Sequence, residues 1–467
     1  MGLRRRLLSV LLAVMGTAAV LAAPQAAAAI EPSRSVTGYF TDTPLPSPAD
    51  TFQRLKSGES ARSIGLTGGT GKATASAVHR TGPEGVRGVQ HNVTVGEPVP
   101  PAGLAPRVVD DPQRTMTLAE CKAHTANDAS MWIASRFAMC ESRWFAAEWS
   151  VNGKVVGFTQ MTVSAIATVP AADSREIYFD YYFSDFYAAG TNAIDATLVG
   201  ADPNYVTAPD NIALTQGGLD PGPRSVAQIK ADPHFMVSRR AEPGQGLAPD
   251  DGVWAIWNMK FEPQWPAPWV ETNPLAEWKF SSFGLRWDNS SYLPNYKPAD
   301  VLHTGGASLS YNMSPLRYST AATAEEQAVA LHIEKAFTQP AGTQPVNPSK
   351  HVLGQSASKP LHRLQKGISQ THLNRYNANR REAVKVCTAV DPEYASKGLQ
   401  CDEYPFASTY EGSARSIYEP GTPANNFSAL AVDGGQNGKA GNQLAAYYDK
   451  SRIIDGENDE FYVVIIS

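Results

Sequence analysis

The residues best suited to chemistry crowd into one short stretch, Cys401-Asp402-Glu403-Tyr404-Pro405-Phe406-Ala407-Ser408-Thr409, followed by Tyr410-Glu411-Gly412. Adjacent carboxylates beside an aromatic–proline pair, with a third carboxylate at a glycine, are an unusual combination. If Cys401–Tyr404 is extended, successive side chains alternate between faces. Asp402 then shares a face with Tyr404, and Glu403 with Cys401. Both carboxylates enter one pocket only if the strand ends between them, so one of the two is expected to react. The charge around this stretch is divided. Between Lys350 and Lys385 there are eight basic residues opposed only by Glu382, whereas Cys387–Ser467 holds twelve acidic residues against five basic ones. A basic arm followed by an acidic pocket suits a grip on a phosphate backbone and a bound divalent cation. The plainer reading of the same charges is a pair of solvated faces. The histidines show no ligand spacing and read as surface or substrate-side residues.

The DEYPFAST segment resembles the DEWP-type signature of the NucA/NucB deoxyribonucleases, with Tyr404 where many relatives carry Trp. Other pieces are similar in the same order. Arg380-Arg381-Glu382 precedes the signature, Glu411-Gly412 follows it, and Asn437-Gly438 with Gly441-Asn442-Gln443-Leu444 resembles the family's last helix start. The apolar end Glu460–Ile466 resembles its last strand. The resemblance covers about the last 110 residues. It implies a compact fold with a metal-centred site, similar to the ββα-metal nucleases without their catalytic histidine. Asp402 takes the histidine's place as general base and Glu403 supports it, which agrees with what a carboxylate can do beside a metal-bound water. Glu411, with amide oxygens of Asn437 or Gln443, would supply hard ligands for Mg²⁺ or Mn²⁺. Asn437 and Gln443 do not share a helix face. Asn437 could instead be a helix N-cap, and Asp433 could replace it as a ligand. Arg380 and Arg381 would hold DNA phosphates through forked hydrogen bonds. Such contacts carry no sequence information, so the DNA would be bound without specificity.

The elements that must position these residues imply an α+β chain in several parts. A small α+β metal-nuclease domain is expected over residues 349–467, preceded by a helix and linker at 321–348 whose buried stripe is Ala328, Leu331, Ile333 and Phe337. Residues 111–320 read as an antiparallel, β-rich accessory domain, a sandwich or open barrel. Its strands include Trp144–Ser150 and Lys154–Val163 around the hairpin signal Asn152-Gly153, Ile177–Phe183, Val253–Phe261 and Glu277–Trp287. Its tryptophans read first as core, with carbohydrate binding as the alternative. No catalytic constellation stands out there. Residues 30–110, rich in Pro, Gly, Ser and Thr, read as a flexible propeptide or linker.

Residues 1–29 have the form of a signal peptide: Arg4–Arg6, an apolar run over Leu7–Ala23, then Ala26–Ala29. A secreted, extracellular protein with no stable membrane association after cleavage is expected. Four cysteines in such a protein imply two disulfides, Cys121 with Cys140 and Cys387 with Cys401, each inside its own domain. A four-thiolate metal site lacks the usual C-x2-C knuckle. The net charge of −5 excludes a generic polyanion binder and confines any DNA contact to a local patch. The function expected is a secreted endodeoxyribonuclease. The alternatives are a binding or interaction protein with an inactive nuclease-like domain, or a nuclease toxin; no protein inhibitor or partner is identifiable.

Overall fold

The computed structural model describes residues 32–66, 93–95 and 111–467, apart from residues 42–43, 46, 127–130, 192–197, 202–203, 219–221, 259, 273–277, 280–282, 297–304 and 311–314. The signal-type segment 1–29 lies outside the described residues.

The first half is built from long antiparallel strands. β1 (Arg34–Thr41), β2 (Ala138–Val151), β3 (Lys154–Thr168), β4 (Ile177–Gly190) and β5 (His234–Arg240) lie side by side in that order. At the β2–β3 hairpin, Asn152 and Gly153 have φ of 49° and 75°. Positive φ at both central residues matches the twist of the flanking strands. A second sheet places β6 (Val253–Asn258) beside β7 (Phe283–Asp288), which pairs with β8 (Gly306–Leu309). The two sheets share one core. From the first sheet, β4 turns Ile177, Phe179, Tyr181 and Phe183 inward while Tyr178, Asp180 and Tyr182 stay partly exposed. The Phe179 ring meets those of Trp257 and Phe283 from the second sheet, with centroids 5.2 and 5.6 Å away. Full burial of one such phenylalanine is worth about 1.5–3 kcal/mol. Trp149, Trp257 and Trp287 are completely buried, so the core reading of these tryptophans holds.

The expected linker over 30–110 needs correction. β1 pairs with β2 along its whole length, from Arg34 opposite Val151 to Thr41 opposite Trp144. The helix Pro48–Lys56 buries Phe52 and Leu55 with Tyr39, Ala146 and Phe158. β1 escaped notice because its C-terminal half is covered on both faces and so shows no polar alternation.

The second half starts earlier than expected. β9 (Leu316–Ser319) runs parallel to β12 (Val463–Ile466) at the far end of the chain. Between them come α1 (Gln327–Thr338), α2 (Gln370–Val390), β10 (Leu399–Tyr404), β11 (Ser428–Asp433) and α3 (Gly434–Lys450). β10 and β11 form an antiparallel pair from Leu399 opposite Asp433 to Tyr404 opposite Ser428. The expected helix is α1, and it packs into this unit: it buries Val329, Ala330, His332, Ile333 and Ala336, so Ile333 of the expected stripe is inside while Leu331 is 46% exposed. On that inner face the His332 ring finds a polar partner in Ser428 of β11.

The halves are joined by buried charges. Asp459 takes Arg136 Nη2 at 2.6 Å and Arg286 Nη1 at 2.5 Å, both from the sandwich, and accepts the Ile454 N–H at 2.9 Å. In the reverse sense, Arg452 Nη2 reaches Asp288 Oδ1 at 2.5 Å. Burial alone would raise the Asp288 carboxyl, but Arg452 and Arg286 hold it down at about 2. Removing one member leaves a buried charge uncompensated. Asp459→Ala is therefore expected to cost about 3–5 kcal/mol in urea unfolding, with both halves losing structure in one transition. Wild-type stability in that variant, or two separated transitions in the parent chain, would contradict this account.

Candidate active site

β10 is the strand that organises the site. Its alternation sends Cys401 and Glu403 towards α2 and Asp402 and Tyr404 towards α1, as expected from an extended backbone. On the α2 side, Cys401 is bonded to Cys387, and Arg380 Nη1 meets both the Cys401 carbonyl, at 3.2 Å, and the Glu403 carboxylate. On the α1 side, the Tyr404 ring packs edge-on against Phe337 at 5.2 Å, and Asp402 Oδ2 lies 2.6 Å from His332 Nδ1. The other expected disulfide, Cys121–Cys140, is also present.

Both carboxylates nonetheless line one cleft of about 470 Å³. The expectation that only one could enter a pocket needs correction. β10 is the edge of a two-stranded sheet, paired among the described residues with β11 alone, and side chains from both faces reach the space beside an open edge. Among the described residues, the cleft is lined by the second half alone. Its basic side is Arg363, Lys366 and Arg380. Arg363 is sandwiched between the Tyr448 ring at 4.4 Å and the Tyr292 ring at 4.9 Å, while Lys366 is exposed, its ammonium 4.7 Å from the Tyr376 ring.

The remaining expected residues are dispersed. Arg381 stands outside the cleft, 59% exposed, with Glu382 3.6 Å away. Glu411 is engaged through both oxygens by His362, whose backbone N–H donates to Oε2 at 2.9 Å and whose Nδ1 lies 2.8 Å from Oε1. It lines a separate small pocket with Gly412 and Ser413. Asn437 lines the Asp402 cleft and donates to Gln400 Oε1 at 2.9 Å. The N-cap of α3 is Asp433, which accepts the Gln436 N–H at 2.9 Å, so Asn437 is not the cap. Gln443 is buried away from the cleft and donates to Glu326 Oε2 at 2.8 Å. Among the described residues, no three His, Cys, Asp or Glu side chains gather in a way that could hold a metal.

His332 is the site residue that the sequence reading missed. It is 3% exposed, not on the surface, and its second nitrogen Nε2 lies 2.7 Å from Ser428 Oγ. The available signal was a histidine on the inner face of a helix, three residues after Val329 and four before Ala336, where a polar ring must find partners.

Glu403 carries the site's clearest electrostatic perturbation. Burial pushes its carboxyl up to about 7; Arg380 opposes the shift and Asp402 adds to it. In Arg380, burial disfavours the charge but Glu403 outweighs it, so the guanidinium is held above its ordinary value. A raised folded-state pKa means that Glu403 favours the folded chain below its ordinary value near 4.5, and that this contribution disappears as pH rises through about 7. Unfolding free energies of the parent and Glu403→Gln should therefore diverge between pH 5 and 8, the parent falling more, by at most about 3 kcal/mol. Parallel pH curves for the two proteins would show that Glu403 titrates normally.

No curated protein and no solved structure matches the chain. Residues 353–464 match the family model described as Deoxyribonuclease NucA/NucB. The match begins after His332 and takes in β10, β11, α2, α3 and the cleft carboxylates, so the C-terminal region of this chain carries a deoxyribonuclease domain of the NucA/NucB family.

Proposed function

We propose that the chain is a secreted, metal-assisted endodeoxyribonuclease that cuts DNA without sequence preference, with Asp402 as general base. The observation that carries this reading is the state of Asp402. One of its oxygens is held by His332, while the other accepts no hydrogen bond among the described residues and the side chain lines a cleft with a basic wall. In the reaction, a water oxygen bonds to phosphorus while Asp402 Oδ1 takes its proton, and one P–O ester bond breaks. The departing oxygen takes a proton from solvent, leaving a phosphate monoester and a free hydroxyl. Lys366 and Arg380 lie where they can hold the scissile strand, and Arg381 can reach a flanking phosphate from the surface. These contacts read the backbone and not the bases. Two disulfides support an oxidising, extracellular setting.

The residues present fit a cation that is mostly hydrated. Of the three expected ligands only Asn437 lines the cleft, whereas Glu411 is held by His362 in a separate pocket. An all-oxygen, sparse donor set suits Mg²⁺ or Mn²⁺, which keep several waters and take further ligands from phosphate. When bound, such an ion lowers the pKa of its water and neutralises charge growing on the phosphate. Asn437 would hold it through the amide oxygen.

Asp402→Ala and Asp402→Asn should lose on the order of 100- to 10,000-fold in plasmid nicking while remaining folded. A folded variant that nicks at the parent rate would sink the assignment of the base. EDTA should stop nicking and excess Mg²⁺ or Mn²⁺ restore it; undiminished cleavage in EDTA would remove the metal from the reading.

A further inference from the structure

We infer that His332 is the positioning residue for Asp402, holding one carboxylate oxygen so that the other faces the reacting water; this rests on the reading of Asp402 as base. His332 sits on α1 and is buried, with Nδ1 2.6 Å from Asp402 Oδ2 and Nε2 2.7 Å from Ser428 Oγ. Both ring nitrogens are occupied, so the imidazole cannot turn without breaking a buried hydrogen bond. An ionised carboxylate only accepts, so Nδ1 carries the hydrogen of the short contact. Ser428 completes the clamp from β11, where it sits opposite Tyr404 on the neighbouring strand.

The clamp has a competitor. Arg380 shares the cleft with Asp402, and its guanidinium already meets Glu403 and the Cys401 carbonyl. An Asp402 released from His332 would be free to turn towards that cation and spend on an ion pair the oxygen needed for water. Glu403 engages Arg380 Nη1 on one face of β10 while His332 restrains Asp402 on the other. Reacting atoms must be held in register, and a displacement of about 1 Å can cost roughly 100-fold in rate. A residue holding its base by a single oxygen acts on the chemical step and leaves DNA binding to the basic wall.

The test uses the full chain and steady-state plasmid nicking, with each variant's unfolding midpoint recorded. Asn places an amide N–H where Nδ1 stands, whereas Gln places one near Nε2. His332→Asn should stay within about 10-fold of the parent kcat, while His332→Gln and His332→Leu lose on the order of 100-fold in kcat with KM little changed. Parent-like kcat in His332→Leu overturns the proposal, as do equal losses in the Asn and Gln variants at matched stability. If His332→Leu does not fold, the Asn–Gln comparison decides alone. The control Asp402→Ala separates the two readings: its full activity defeats the base assignment. Its inactivity beside an unimpaired His332→Gln defeats only the positioning role.

Discussion

Asp459 lies completely buried between two arginines that belong to the other half of the molecule, and a charge in that place cannot be left unpaired. Around it, Arg286 also donates to the Arg452 carbonyl at 2.6 Å, and Arg452 closes on Asp288. Each half contributes both signs of charge, so neither can present this surface to water without reorganising it. The network grips the segment between α3 and β12, the stretch that helps close the second half's core through Ile453 and Phe461. It therefore fixes the frame on which β9, β12 and α3 are assembled.

That frame reaches the cleft through Arg363. Its guanidinium lies between Tyr448 of α3 and Tyr292 of the sandwich, and Nη1 donates to the Ile453 carbonyl at 2.7 Å. Among the described residues the sandwich lines no part of the cleft, and its contact with the cleft wall passes through the Arg363 cation. Within the cleft, β10 gives each carboxylate a different partner on a different helix. The Cys387–Cys401 disulfide fixes α2 against that strand two residues from Glu403, so the Arg380–Glu403 pair and the Asp402–His332 pair are set by one short piece of backbone.

What could be read from the sequence was local. The alternation of Asp402 and Glu403, the Asn152-Gly153 turn and the pairing of cysteines 19 and 14 residues apart depend on near neighbours, and each is where its spacing put it. The expectations that shifted depended on distant partners. Asp402 and His332 are 70 residues apart, and Arg136 and Asp459 are 323 apart; no periodicity records such a meeting. Glu411 and Gln443 had the right chemistry for ligands, but His362 and Glu326 also want their hydrogen bonds, and a single sequence does not say which partner wins. β1 was hidden because coverage on both faces erases the alternation that marks a half-exposed strand.

The stretch that matches the nuclease family is smaller than the unit that builds its site. Residues 353–464 contain every cleft carboxylate, yet β9, which pairs with the last strand, and α1, which touches Asp402, both precede it. A fragment starting near residue 349 would expose Val463 and Ile465 where Leu316 and Tyr318 now cover them, and would leave Asp402 without His332. It would also strand Asp459 and Arg452 without their sandwich partners. Inactivity of such a fragment would thus reflect a site taken apart and a charged interface laid open, and would say nothing about the chemistry of Asp402.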